Sequence, residues 1–309
     1  MLSREDNELL VRTNPGTPMG ALFRRFWVPV MLESELGGPD SAPVRVEVLG
    51  EQLVAFRDTA GTIGLLDAYC PHRRANLFWG RNEDHGLRCV YHGWKFDTNG
   101  QCVDLPNCPE GVTLKDRVKT AAYPTQARGG IVWAYLGPVD KQPAFPDIEI
   151  MNSTPEQRHI VKIVTKSNYL QTVEGDIDSS HVSFLHSRLD KKPLPGSLSM
   201  PTMFADTSPR WFIDETDYGL MFSAQRNASP DTYQWRVTQW LMPCVSLIAA
   251  PKGERMLANI DPLSLHRQPG TPPQRPRTTG DRRRNHYAGD DPRNVHHEGE
   301  HGKRLLDRP

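Results

Sequence analysis

Four residues in two short segments carry the strongest chemical signal in the chain: Cys70-Pro-His72 and Cys89-Val-Tyr-His92. Each segment places a thiol and an imidazole on one tight loop, and sixteen residues separate His72 from Cys89. Two thiolates and two imidazoles suit either a tetrahedral zinc ion or an iron–sulfur centre. Two unrelated buried cysteines beside surface histidines form the bland alternative. Each pair follows a run of strand character, so two hairpin tips could clamp a metal group between them. Cys102, Cys108 and Cys244 have no His or Cys partner at ligand spacing and are expected as bystander thiols, with His85 and His159 as exposed side chains. Five cysteines in a chain of 309 residues do not make a disulfide framework, so metal or redox use is the better question.

A second constellation, Glu174-Gly-Asp-Ile-Asp178-Ser-Ser-His181-Val-Ser-Phe-Leu-His186, packs three acids and two histidines into one stretch. Glu174, Asp178 and His181 fall at i, i+4 and i+7, which a helix would align along one face. The five-residue step from His181 to His186 is about 140° off that face at roughly 100° per residue. If both imidazoles hold one metal, the helix must bend, bulge or end between them. Two imidazoles and a carboxylate that leave open positions make the ligand set of non-haem Fe(II) oxygenases. A polar helix face with solvated histidines is the alternative, and an electron carrier in the same chain weakens it.

The elements that must position these residues follow from periodicity. Ser3 and Asp6 ahead of Leu9, Leu10 and Val11 cap a short helix, which Pro15-Gly-Thr-Pro18 ends. Period-two runs at 44–49, 52–57 and 62–69, with a turn at Thr59-Ala-Gly61, predict consecutive antiparallel strands. Further strands are expected at 87–90, 94–97, 101–104 and 130–136, with a turn at Thr98-Asn-Gly100. They make a small all-β domain over 24–145, preceded by a helical segment at 1–23 that packs on the catalytic domain. After a proline-bearing connector, 160–164 alternates like a strand, and Tyr169 to Leu189 has helical spacing. Strand patterns return at 210–213, 219–224 and 233–241. A helix laid on an antiparallel sheet gives an α+β reading for 146–261.

Composition divides the chain. Lys+Arg and Asp+Glu number 37 each, which argues against a broad grip on nucleic acid. Residues 262–309 hold ten basic and six acidic side chains with seven prolines, and no Ile, Phe, Trp or Met, so this tail is expected to be disordered. The first residues lack the basic and apolar regions of a secretory signal, and no apolar run is long enough to span a bilayer. A soluble cytoplasmic protein, bound to neither membrane nor nucleic acid, is the expectation.

The Cys-x-His and Cys-x-x-His pairs, in the contexts Pro71-His72-Arg73 and His92-Gly93-Trp94, match the Rieske pattern. With Pro15-Gly-Thr-Pro-Met-Gly and Gly175-Asp-Ile-Asp-Ser-Ser-His-Val-Ser-Phe-Leu-His186, the chain resembles the oxygenase (alpha) component of Rieske non-haem iron aromatic-ring-hydroxylating oxygenases, in the phthalate dioxygenase-like branch. The resemblance covers roughly residues 1–251. It implies an antiparallel β Rieske domain joined to a helix-grip catalytic domain. Cys70, His72, Cys89 and His92 would bind a [2Fe-2S] cluster, the cysteines on one iron and the histidines on the other, with a potential in the range of roughly -150 to +300 mV. His181 and His186 would bind a mononuclear Fe(II). Asp178 would link an iron-bound histidine to His92 of a neighbouring subunit in a head-to-tail homotrimer. NAD(P)H electrons would arrive only indirectly, through a flavin- or ferredoxin-type reductase, and O2 would be used to hydroxylate an aromatic carboxylate.

The family's third iron ligand, a downstream Asp or Glu, has no convincing counterpart; Asp261 is the weak candidate, with Asp290 and Asp291 in the tail. Arg210, Arg226 and Arg236 are candidates for a substrate carboxylate. O-demethylation or monooxygenation, an electron-transfer Rieske protein with a vestigial second site, and a zinc-binding interaction protein are the competing functions.

Overall fold

The computed structural model describes residues 2–109, 114–165, 167–187, 202–249 and 256–260. The expected tail at 262–309, Asp261, and the far end of the Tyr169 to Leu189 helix lie outside the described residues.

Two short helices open the chain. Helix α1 (Arg4–Val11) is capped by the Ser3 side chain, which accepts from the Asp6 N–H, and α2 (Pro18–Phe23) by Thr17, with Pro18 in the first turn where its missing N–H costs nothing. Ten strands follow: β1 (Trp27–Leu32), β2 (Val44–Val48), β3 (Glu51–Arg57), β4 (Ile63–Asp67), β5 (Arg81–Glu83), β6 (Gly86–Arg88), β7 (Lys95–Phe96), β8 (Cys102–Asp104), β9 (Thr125–Arg128) and β10 (Ile131–Tyr135). They form three antiparallel sheets in the orders β1-β10-β9, β2-β3-β4 and β5-β6-β7-β8. Leu49 and Gly50 both turn with positive φ between β2 and β3, so Leu49, expected as the end of a strand, belongs to a two-residue hairpin turn. Gly100 closes the expected Thr98-Asn-Gly turn at φ 76°, where a Cβ would meet the Thr120 carbonyl at 2.3 Å.

Helices α3 (Tyr169–Ile177), α4 (Val182–Leu185) and α5 (Thr202–Ala205) then lead into a five-stranded antiparallel sheet. Its strands, in order, are β11 (Arg210–Thr216), β12 (Gly219–Ser229), β13 (Thr232–Leu241), β14 (Val245–Ala249) and β15 (Met256–Ile260). This is the α+β fold of antiparallel sheets that the sequence predicts.

The apolar core has two main parts. One joins Phe23, Val28, Leu53, Leu65 and Val132 to Tyr169 and Val173 of α3 and to Cys244; the other joins Phe56, Leu77, Leu87 and Phe96 to Cys70, Cys89 and Cys102. The arm carrying α1 and α2 is tied to α3 through polar contacts as well. Asn168 Nδ2 donates to the Val11 carbonyl at 2.9 Å and Tyr169 Oη to that of Leu10 at 2.9 Å.

Three expectations are corrected. Residues 160–164 form no strand among the described residues, and Val161, Ile163 and Val164 are exposed; alternation describes a half-buried strand only where a sheet covers one face. The long helix from Tyr169 is broken, because Asp178 leaves it in extended conformation (φ -77°, ψ 120°) and α4 starts afresh four residues later. Glu174 therefore does not share a helix face with His181. Trp27–Leu32, broken by Pro29 and without alternation, is a buried strand that period-two reasoning missed.

Candidate metal centres

The two Cys/His loops share one hydrogen-bonding plan. The Cys70 N–H donates to the Ala75 carbonyl and the Cys89 N–H to that of Trp94, five residues on in both cases. In return each cysteine carbonyl accepts from the residue four further on, Arg74 and Gly93. Closing such a loop needs left-handed backbone, supplied by Arg74 at φ 56° and by Gly93 at φ 78°. At Gly93 a Cβ would also sit 2.6 Å from Pro106. Arg88 anchors the second loop, donating to the Gly93 carbonyl at 2.7 Å and pairing with Glu83 and Asp104.

The loops bring like donors together. Cys70 and Cys89 are buried, with their thiols in hydrogen-bond reach of each other; burial, opposed by the backbone N–H groups of His72 and Arg73, pushes the Cys70 thiol up to about 11. A metal must displace that proton, since the thiolate is the ligand. The rings of His72 and His92 lie 4.6 Å apart at the surface end of the pair. Partial burial, His92 and Arg73 hold the His72 imidazole below the usual histidine range, which favours the neutral, ligating form. Trp94 stacks flat on His72, and Tyr91 leans on His92 at 3.9 Å. Sulfur paired with sulfur and imidazole with imidazole fits a two-iron cluster with one pair per iron.

The second constellation is held by a turn. Asp178 Oδ1 accepts from the Ser180 N–H at 2.7 Å, and Oδ2 accepts from the His181 N–H at 3.0 Å and faces His181 Nδ1 at 3.2 Å. These local bonds compete with helix continuation and end α3. Burial works to raise the Asp178 pKa, but the two backbone N–H groups and His181 outweigh it and hold the carboxyl below the ordinary aspartate range. In the tautomer that donates Nδ1–H to Asp178, the other ring nitrogen of His181 is free to act as a ligand. His181 precedes the single turn of α4 and His186 follows it, which resolves the awkward five-residue step: the ring centroids are 5.1 Å apart. Burial, then His181 and Arg236, lower the His186 pKa. Two imidazoles beside a carboxylate fit a divalent iron, and a third protein ligand is not among the described residues.

The candidate arginines are placed very differently. Arg210 is exposed near Phe212 on the edge strand. Arg226 is buried, with its guanidinium on Ser179 and on the Asp206 carbonyl. Arg236 is half-buried opposite Ala224 in β12 and points Nη1 toward Met203 Sδ at 3.9 Å. Burial and Arg226 lower its pKa against the pull of Asp178. Sequence reasoning missed Ser179 and Asp206, since 47 residues separate Ser179 from Arg226 and no local spacing joins them. Trp94 had a visible signal, an aromatic two residues after a ligand.

The fold and the paired Cys/His loops are those of a Rieske-type iron–sulfur protein, with a histidine–carboxylate cluster between α3 and α4 ahead of the antiparallel sheet. Comparison with known proteins agrees. A Rieske [2Fe-2S] domain matches residues 26–124, and a domain described as LigXa C-terminal domain like matches 134–262. The chain is 41% identical over 249 residues to the 3-chlorobenzoate-3,4-dioxygenase oxygenase subunit of Comamonas testosteroni, covering 80% of this chain and 57% of that one. It is 40% identical over 270 residues to the phthalate 4,5-dioxygenase oxygenase subunit of Pseudomonas putida, covering 84% and 61%. The chain thus spans about three-fifths of the length of these relatives. In fold it is similar to the Pseudomonas putida CBB5 NdmA QL mutant with caffeine, at a TM-score of 0.60 and 24% identity over 77% of this chain and 69% of that one. The chain thus carries a Rieske [2Fe-2S] domain followed by a LigXa C-terminal-like domain, and is similar over most of its length to the oxygenase subunits of the phthalate and chlorobenzoate dioxygenases.

Proposed function

We propose that the chain acts as the oxygenase component of a multicomponent Rieske oxygenase that hydroxylates an aromatic carboxylate. The observation that carries this reading is the Asp178–His181 hydrogen bond with His186 beside it, in a chain that also holds the paired Cys/His loops. In this reading Cys70 and Cys89 hold one iron of a [2Fe-2S] cluster, His72 and His92 the other, and His181 and His186 hold the mononuclear Fe(II). When bound, the cluster supplies single electrons that originate from NAD(P)H in a separate flavin- or ferredoxin-type reductase, and the mononuclear iron supplies the site for O2. Asp178 fixes the His181 tautomer and orientation. Arg236 is the arginine best suited to a substrate carboxylate: its guanidinium is desolvated, lies near His186, and among the described residues is bonded only to a weak thioether acceptor.

The exposed Val90 and Tyr91 at the tip beside His92 support docking of that tip on a second copy, as in a homotrimer where Asp178 faces His92 of the partner subunit. A mixture of Cys89→Ala and Asp178→Asn chains then regains turnover that neither has alone.

Iron and sulfide analysis with a visible spectrum and EPR on the purified full chain tests the assignment. A reducible cluster plus one further Fe(II) per chain is expected; zinc without iron or sulfide overturns it. Labelled O2 distinguishes the outcomes, because two labelled oxygens on adjacent ring carbons mean dihydroxylation and one means monooxygenation or demethylation.

A further inference from the structure

Arg226 stands out among the charged side chains because it is 1% exposed and makes three hydrogen bonds, none of them to a carboxylate oxygen. Nη1 donates to Ser179 Oγ at 3.0 Å, Nη2 to the Ser179 carbonyl at 2.6 Å, and Nε to the Asp206 carbonyl at 3.1 Å. Ser179 is itself 3% exposed and sits inside the four-residue turn Asp178-Ser-Ser-His181. The Asp206 carboxylate completes the clamp from the far side, accepting from the Asn227 N–H at 2.7 Å, from Asn227 Nδ2 at 3.0 Å and from the Ser208 N–H at 3.1 Å. One guanidinium thus ties the turn between α3 and α4, the end of α5 and strand β12 together.

We infer that Arg226 is a positioning residue for the mononuclear centre: through both polar atoms of Ser179 it fixes the turn whose ends are the Asp178 carboxylate and the His181 imidazole. The inference rests on the iron-site reading above and deepens it. The turn needs such a device. It follows the last residue of α3 and precedes a helix of one turn, so little regular structure holds it, while Asp178 and His181 must keep a 3.2 Å relationship. A planar fork with several donors meets an Oγ and a carbonyl on the same residue, which a lysine ammonium on a flexible stem reproduces in part only. Burying a guanidinium is costly unless its donors are met, so the chain's retention of an arginine here has a local reason in the turn it holds.

The test is calorimetric titration of the full chain, with its mononuclear iron removed and its cluster intact, with Co(II) in place of Fe(II). The wild type is expected to bind one Co(II) in a manner abolished by His181→Ala. Arg226→Met is expected to weaken that binding roughly 10–100-fold, the range found when groups behind a metal ligand are removed. Arg226→Lys recovers part of the loss, and Ser179→Ala, which deletes only the Oγ bond, falls between wild type and Arg226→Met. Cluster absorbance is unchanged in all four variants, a pattern that a general loss of stability does not produce. Wild-type Co(II) affinity in Arg226→Met and Ser179→Ala overturns the inference alone. If Arg226→Met does not fold, Ser179→Ala decides in the same way. A wild-type chain with no Co(II) site sensitive to His181→Ala overturns the iron-site reading and this inference with it.

Discussion

The imidazole of His72 lies flat against the indole of Trp94, their centroids 4.3 Å apart and their planes within 4°. The indole is itself fixed, since Nε1 donates to Asn107 Oδ1 at 2.9 Å. Trp94 therefore sets the plane of one cluster ligand and keeps water from one of its faces. Trp94→Ala is expected to shorten the lifetime of the [2Fe-2S] absorbance in air severalfold, with matching loss of iron and sulfide. Trp94→Phe, which keeps a flat face but no N–H donor, falls between. A cluster in Trp94→Ala that lasts as long as in wild type contradicts the role.

Asp178 makes stability depend on pH in a definite direction. Its carboxyl is held below the ordinary aspartate range in the folded chain, chiefly by the Ser180 and His181 N–H groups once the opposing effect of burial is overcome. A depressed folded pKa contributes stability that is complete above the unfolded value, about 3.9, and is lost as pH falls through the lower folded value. The difference in unfolding free energy between wild type and Asp178→Asn should shrink as the pH falls below about 4. A difference that grows as the pH is lowered below about 4 would falsify this. Turnover by Asp178→Asn is expected to drop by at least about tenfold at all pH values, because an amide cannot replace both acceptor oxygens.

Much of this arrangement is legible from local spacing, and the rest fails for identifiable reasons. Cys70, His72, Cys89 and His92 stand close in sequence on matching loops, and their pairing in space follows from two hairpins. The five-residue step from His181 to His186 correctly demands a break, but counting Phe184 and Leu185 with Leu170, Val173 and Ile177 as anchors of one helix carries it too far, because Asp178 can end it with its own carboxylate. The alternation at 160–164 misleads for the opposite reason: it describes a strand, and strands exist only with partners. Arg226 is visible in the sequence as an arginine, yet its bond to Ser179 crosses 47 residues, so its chemistry is set by the sheet register and not by its neighbours.

A second polar junction joins the N-terminal arm to the β2–β3 hairpin. Arg24 donates to the carbonyls of Thr13, Gly20 and Leu49 and to Glu51 Oε1 at 2.6 Å, while Tyr123 Oη donates to the other oxygen of Glu51. Burial, reinforced by the carboxylate, raises the Tyr123 pKa, so the phenol stays protonated as a donor. Glu51→Ala leaves the guanidinium and the phenol without their shared acceptor in a half-buried site. The expected cost is about 2 kcal/mol in a urea titration, with Tyr123→Phe costing about 1 kcal/mol because Arg24 keeps its partner. Equal costs for the two variants would mean that the Arg24–Glu51 pair contributes nothing.

Phe23 tests whether the N-terminal arm is part of the core or merely laid on it. The residue ends α2, is fully buried, and meets the Tyr169 ring edge-on at 4.9 Å and 78°. Tyr169 is in turn bonded to the Leu10 carbonyl, so one aromatic pair joins α1, α2 and the start of α3. Truncation to alanine removes an edge-to-face contact and opens a cavity that the strands around Val28, Leu53 and Leu65 cannot collapse to fill. Phe23→Ala is therefore expected to lower the unfolding free energy by about 3–5 kcal/mol, and Phe23→Leu by less than half of that. Because α3 leads directly into Asp178, Phe23→Ala should also weaken Co(II) binding in the still-folded fraction, whereas Glu51→Ala should not. Loss of stability without any change in Co(II) affinity would separate the arm from the second centre and confine its role to packing.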